Sequence, residues 1–368
     1  MLVERVKNVA TPLKEMYNLA FFEDLSLKIQ QAYPAFNNER FVDLIYSKDW
    51  DQLELKQRIR HITETLGKLL PDKYEEAILI LEEVAPSCSG FPYLFFPDFV
   101  ERFGQDNWEI SMRALEIFTK YSSSEFAVRP FIMKDTDKMM KQMYQWSLHE
   151  NEHVRRLASE GCRPKLPWAQ PLKEFQKDPS AILPILEQLK EDPSRYVQKS
   201  VANNLNDISK DHPGIIIEWL QQKKAKHSIT DWILRHASRT LLKKGNKDVL
   251  RLFGYQQPTS ITVRSLELSR DTLTTGDTLH FSFNLENHSP DSQLLRVEYA
   301  IDYQKANGKV IRKKFHLSDK HYANGSHLLK SKQSFANLST RKHYSGQHKL
   351  IIYVNGEELE QKQFMLSR

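Results

Sequence analysis

The spacing of apolar residues changes near Pro258 from a helical period to a strand period, so no single kind of layer accounts for the whole chain. Upstream, Ile182, Leu183, Ile185, Leu186 and Leu189 recur at helical intervals, as do Val197, Val201, Leu205 and Ile208. Pro130, Pro164, Pro179, Pro193 and Pro213 punctuate this half into short helices. Downstream, ITVRSLEL, TLHFSFNLE, LLRVEYAIDY, KVIRKKFHL, HLLKSKQSF and HKLIIYV alternate and are rich in strand formers. Asn307-Gly308, Asn324-Gly325 and Asn355-Gly356 supply tight-turn signals between or beside them. About seven strands in roughly 105 residues, without a cysteine, predict an antiparallel immunoglobulin-like sandwich. The expected fold is an all-α HEAT-like helical repeat solenoid over residues 1–256, followed by an all-β sandwich over 257–368. LFGYQQPTS, at 252–260, is the expected junction.

The helical half repeats. ISMRALEIF, VRRLASEG, VQKSVANNL and WILRHASRTL share a small or apolar register, and their starts lie 44, 43 and 35 residues apart. That is near the spacing of HEAT-like helix pairs, in which one helix of each pair lines a concave surface. Arg155, Arg156, Lys199, Arg235 and Arg239 recur on these helices and can follow a phosphate backbone there. Solvated helix faces are the plainer reading of the same charges. The net charge of +6 is unevenly spread: residues 1–110 carry −7, residues 111–256 carry +8 and residues 257–368 carry +5. Basic charge thus gathers where a polyanion-binding surface needs it.

Several chemistries are excluded or disfavoured. His149-Glu150-Asn151-Glu152-His153 fits the HExxH zinc-peptidase pattern, which needs both histidines on one helical face. The repeat register instead places it opposite EDPSRY, a turn between helices, so no metal site is expected. There is no GxGxxG, GxxxxGK or GxSxG. Cys88 and Cys162 are too few for a disulfide framework, and Cys162 reads as a packed thiol at a helix end. Met139, Met140 and Met143 read as core filler. No run of eighteen apolar residues occurs, and charges interrupt the first eighteen residues too often for a secretory segment. A reduced, cytoplasmic protein is expected.

Three stretches do not reduce to packing rules. SEGCRPKLPWA, at 159–169, ends a helix at Gly161 and runs through two prolines to Trp168, predicting an extended arm whose ring docks or stacks. Burial of that ring between repeats is the competing reading. VANNLNDISKDHP, at 201–213, crowds a helix with Asn203, Asn204, Asn206 and Asp207 against local propensity. Asp207 is read as functional or as a helix-end carboxylate. Glu125, in SSSEFAVRPF, is read as functional or as a capping residue.

Through these stretches and WILRHASRTLLKKG, covering most of residues 120–245 in order and spacing, the chain resembles the AlkC branch of the HEAT-like alkylpurine DNA glycosylases, relatives of AlkD. Some members append an immunoglobulin-like domain, as the strand-rich tail does here. The acidic first 110 residues carry no assignable motif. The resemblance implies excision of cationic N3-methylated bases, chiefly 3-methyladenine and 3-methylcytosine, from duplex DNA. It places the active-site groups on Glu125, Glu160, Asp207 and Trp168. Carboxylates suit that chemistry, because they stabilise an oxocarbenium-like state and orient water, and an aromatic face suits a cation. No Schiff-base lysine, metal or nucleotide cofactor is implied, and a monomer is expected. Arg155, Arg156, Arg163, Lys165, Lys199, Arg235 and Arg239 become candidates for phosphate contact, joined in the tail by Arg312, Lys313, Lys314 and the loop of Arg341 and Lys342. The alternatives are a non-enzymatic HEAT-repeat scaffold and a damaged-DNA-binding protein without catalysis.

Overall fold

A computed structural model describes residues 12–46, 49–337 and 342–367. Arg341, one of the expected phosphate contacts, lies outside them. The helices follow the predicted punctuation except at Pro130, which lies in the first turn of a helix, where the missing amide hydrogen costs no bond. The first eight are α1 Leu19–Ala32, α2 Asn38–Ile45, α3 Leu55–Leu69, α4 Tyr74–Val84, α5 Phe95–Phe103, α6 Trp108–Tyr121, α7 Val128–Lys134 and α8 Thr136–Ser147. Next come α9 Glu152–Glu160, α10 Lys173–Lys177, α11 Leu183–Leu189 and α12 Arg195–Ile208. The last four are α13 Pro213–Lys223, α14 Ser228–Ala237, α15 Arg239–Lys244 and α16 Lys247–Leu252.

Two compact units are formed, one from residues 1–211 with 226–233, the other from 212–225 with 234–368. In the first, the 43-residue repeat is realised by α9 and α12, which pack side by side. Val154, Leu157 and Ala158 on α9, and Val197, Val201 and Leu205 on α12, are fully buried, as the 3.6-residue period requires. Asn151 caps α9 by accepting the His153 amide, and Ser194 caps α12 by accepting that of Val197.

The second unit contains all the strands: β1 Ile261–Leu268, β2 Thr272–Thr274, β3 Thr278–Asn287, β4 Gln293–Gln304, β5 Val310–Tyr322, β6 Gly325–Ser334, β7 Gly346–Val354 and β8 Glu357–Ser367. They form a three-stranded sheet, β1-β3-β6, and a five-stranded sheet, β2-β8-β7-β4-β5. Leu279, Phe283, Leu285, Val297, Ile301, Phe335, Leu350 and Ile352 fill the core with alternating inward side chains. Two details differ from expectation. The three-residue β2, too short to show alternation, pairs in parallel with β8. Asn324-Gly325 does not close a hairpin, because β5 and β6 belong to different sheets. Asn355-Gly356 does, with both residues at positive φ, joining β7 to β8.

Candidate functional site

Two polar stripes face each other in the first unit. On and just beyond α9, Arg156, Glu160 and Arg163 stand four and three residues apart, and on α12 Ser200, Asn204 and Asp207 repeat that spacing. Asn204 donates to the Ser159 carbonyl at 2.8 Å, and Ser159 Oγ donates to Ser200 Oγ at 2.6 Å. Ser200 in turn donates to Glu160 Oε2 at 2.6 Å. This polar packing accounts for Asn204, a residue poor for helix propensity that makes a bond Leu or Ala cannot.

Across the stripes runs a chain of alternating charges. Arg156 joins Glu125, within ion-pair distance, to Glu160 at 3.5 Å. Arg163 joins Glu160 Oε1, at 2.6 Å, to Asp207 Oδ2, at 2.9 Å. Lys210 closes the series on Asp207 Oδ1 at 2.7 Å. Three carboxylates are thereby balanced by three cations. Glu160 and Asp207 are only 5% and 1% exposed, so this charge is largely removed from water and its geometry is fixed by direct bonds. Burial opposes the Arg156 charge, but Glu125 and Glu160 outweigh it and hold the guanidinium above its ordinary value. Burial likewise opposes the Arg163 charge, and Glu160 and Asp207 overcome it.

Glu125 does not cap α7. Its carboxylate instead accepts from Ser123 Oγ at 2.8 Å, and Ser123 also receives Arg156 at 2.8 Å. The segment after α9 is a series of turns, not the extended arm expected. Close packing begins it: a Cβ on Gly161 would lie 2.6 Å from Val128 Cγ2. Trp168 is not buried between repeats, for its ring is 60% exposed on a backbone at φ 63° and meets Phe91 edge-on, with centroids 6.2 Å apart. Tyr196 lies under the Arg156 guanidinium, 4.9 Å from ring centroid to the cation.

The other expected cations divide by environment. Arg155 spends its donors on Asp192, at 2.6 and 3.2 Å, and on the carbonyls of His149 and Glu150. Lys165 pairs with Asp211 at 2.7 Å, whereas Lys199 is exposed. In the second unit Arg235 holds Tyr255 and Asp319. Arg239, with Lys243 and Lys244 of α15, lines a cavity of about 910 Å3 opposite Arg312, Lys313 and Lys314 of β5. Of these, Arg312 is committed to Asp302 by two bonds of 2.7 and 2.8 Å.

His149 lies before α9 and accepts the Asn151 amide, while His153 sits inside the helix against Tyr196. The pair therefore does not share a helical face. Cys162 is fully buried, and burial pushes its thiol up to about 12, which makes it inert. Met139, Met140 and Met143 are core residues.

Residues 119–241 match the family described as DNA alkylation repair enzyme, and residues 262–368 match the C-terminal Ig-like domain of YhaZ. The Uncharacterized protein YhaZ of Bacillus subtilis (strain 168) is 47% identical over 355 residues, spanning 96% of this chain and 99% of its own. The Pseudomonas fluorescens alkylpurine DNA glycosylase AlkC, solved bound to DNA containing an abasic site analog, is 38% identical. It covers 97% of this chain and all of its own, with a TM-score of 0.94. The chain belongs to the AlkC-type DNA alkylation repair family. Within this AlkC-type chain, Glu125, Glu160 and Asp207 form one cluster, and Trp168 shares the 161–170 arm with Arg163. Sequence reasoning placed Arg156 and Arg163 among phosphate contacts, whereas here they are the cations that interleave the acids. Lys210 was missed, although its i+3 spacing from Asp207 was legible. Ser200 gave no signal, because its bond to Glu160 depends on a chain crossing, and Ser123 was missed although it lies two residues from Glu125. Among the described residues no helix is long and apolar enough to cross a membrane.

Proposed function

We propose that this chain is a monofunctional DNA glycosylase that hydrolyses the N-glycosidic bond of cationic N3-methylated bases, 3-methyladenine and 3-methylcytosine, in duplex DNA. The observation that carries the reading is the convergence of Glu125, Glu160 and Asp207, from three separate motifs, into one largely buried ion-pair network. N3-methylation makes the base a cationic leaving group, so its departure leaves positive charge on the sugar and needs no strong acid. Fixed carboxylates in a poorly hydrated site stabilise that charge without reorganising.

Asp207 is assigned to the sugar and the attacking water, and Glu125 and Glu160 to the charged base. Each Asp207 oxygen accepts one bond, leaving lone pairs for substrate. Arg163 is buried and fixes the carboxylate, whereas Lys210 is one-third exposed and is the partner that yields to a DNA phosphate. Trp168 offers a ring face to the cation. The reading requires no Schiff-base lysine, metal or nucleotide cofactor, and it fits a monomer acting on DNA in the cytoplasm.

Functionally, residues 1–256 are assigned the chemistry and 257–368 a second grip on DNA. The cavity between α15 and β5 carries the cations for that grip. Truncation at residue 257 is a poor test of it, because a Cβ on Gly356 would lie 2.9 Å from the Gly245 Cα, and helices before the cut share the compact unit of the strands. Point variants are cleaner.

The deciding experiment is release of free methylated bases from methylated duplex DNA by the wild type and by Asp207→Asn. We expect release of 3-methyladenine by the wild type, a loss of roughly 10²–10³-fold in the variant, and retained DNA binding. Salt-sensitive binding without release would leave a damaged-DNA binder, and neither binding nor release would return the chain to the scaffold class.

A further inference from the structure

Trp168 presents an exposed ring on a left-handed backbone that a bulky residue adopts only when its surroundings enforce it. Two cations from outside the 161–170 arm supply the enforcement. Arg129, on α7 and 2% exposed, ties both ends of the arm. Its Nη1 donates to the carbonyls of Gly161 and Arg163, each at 3.0 Å, and its Nε and Nη2 donate to the Gln170 carbonyl at 2.9 and 2.6 Å. Among the described residues Arg129 makes no ion pair, so a buried charge is spent on carbonyls alone. Burial draws its pKa down to about 10, which leaves the guanidinium charged at neutral pH. Lys56, on α3, holds the tip: its Nζ donates to the Trp168 carbonyl at 2.7 Å while lying 4.8 Å above the Phe126 ring. Phe126 adjoins Glu125 in sequence, so one lysine links the tryptophan to the acid-bearing segment. Phe91 then limits the ring from its edge. Lys56 and Phe91 belong to the acidic first 110 residues, where no motif was found.

We infer that Arg129 and Lys56 are positioning residues, a two-point clamp that sets the Trp168 ring and the Arg163 backbone against the carboxylate cluster. This rests on the function proposed above. Arg129 suits the task because its planar fork reaches three carbonyls at once, whereas a lysine has a single nitrogen. Displacement of the ring by about an ångström is enough to cost up to 10²-fold in rate when geometry carries catalysis.

The test uses the full chain with Lys56→Met and Arg129→Lys, each alone and combined with Trp168→Ala. Single-turnover release from methylated duplex DNA and affinity for a duplex containing an abasic-site analogue are measured separately. Release is expected to slow about tenfold for Lys56→Met and by more for Arg129→Lys, with affinity changed less than about twofold. In the Trp168→Ala background Lys56→Met adds nothing to the loss, because Lys56 acts through the Trp168 ring, whereas Arg129→Lys keeps the part it exerts through the Arg163 backbone. Unchanged rates, or a Lys56→Met loss that multiplies with Trp168→Ala, overturn the clamp. Fluorine NMR of 5-fluorotryptophan protein, with the Trp168 resonance assigned by Trp168→Phe, gives a readout independent of activity. Lys56→Met must shift or broaden that resonance, and an unmoved line overturns the clamp. If the wild type releases no base, the glycosylase reading fails, and the fluorine signal alone still decides whether the clamp exists. Lys56 is exposed, so its variant folds even if Arg129→Lys does not.

Discussion

The helical unit and the strand-bearing unit treat charge in opposite ways. In the first, Glu125, Arg156, Glu160, Arg163, Asp207 and Lys210 alternate through largely buried positions, with every acid bonded to a cation. In the second, cations gather around an open cavity, and the pair on its wall is less completely bonded than that network: Arg296 Nη2 donates to Glu298 at 2.6 Å, yet Glu298 Oε2 and Arg296 Nε find no protein partner. Surface cations attract a polyanion over distance but position nothing closely. Buried, interleaved charges act over short distances and hold each carboxylate in a fixed direction. The contrast supports the proposed division, with chemistry in the first unit and grip in the second.

The sharpest way to break this comparison is Arg163→Met. It leaves Glu160 and Asp207 buried without their shared partner, and loss of one member of a buried pair costs about 3–5 kcal/mol. Denaturant unfolding of the wild type, Arg163→Met and Arg163→Met/Asp207→Asn measures it. The double variant must recover part of the loss, because Asn carries no charge to strand. If the double variant is as unstable as the single, the network is not held by charge pairing and the comparison fails.

How far this site could be read from sequence depends on which contacts are local. Arg156, Glu160 and Arg163 share one stretch, and Asp207 and Lys210 one helix end, so their spacing was visible. Their assembly was not: Asp207 meets Arg163 across 44 residues, and Lys56 meets Trp168 across 112. The period change at Pro258 was legible because strand alternation is a local signature, and Asn355-Gly356 marked its hairpin correctly. The parallel β2 was illegible, since three residues carry no period and their pairing is set by β8. Arg155 illustrates the limit for cations, because a basic residue on a repeat helix reads alike whether it faces solvent or clamps Asp192.

A smaller effect tests the second unit. Lys243 and Lys313 line the basic cavity from α15 and β5. Lys243→Ala and Lys313→Ala should each reduce the slope of log affinity against log salt by about 0.9 if each meets a phosphate. Lys165→Ala, in the first unit, removes a partly exposed pair with Asp211 and should change stability by less than about 1 kcal/mol. None of the three should alter single-turnover base release at saturating protein. A slower release from Lys313→Ala would move chemistry into the second unit and blur the division.

The smallest effect concerns acid. His348, 1% exposed, stacks on Phe364 at 5.5 Å and contacts Tyr303 and Phe335 edge-on. Burial lowers its pKa below the ordinary 6.5, against a weaker opposing pull from its bond to the Gly346 carbonyl. The sign follows. Below about pH 6.5 the unfolded chain takes up a proton that the folded chain still refuses, so the unfolded state binds more protons and stability falls as pH falls. The loss is complete once the folded pKa is passed, and its slope is at most about 1.4 kcal/mol per pH unit for this one group. Hydrogen exchange of β7 and β8 amides between pH 5 and 7 reports it after correction for the intrinsic rate. His348→Phe should flatten that dependence while leaving exchange in α9 and α12 unchanged. If acid opens α9 and α12 before the strands, the fully paired network is the weaker of the two solutions, and the ranking drawn from its bonding is reversed.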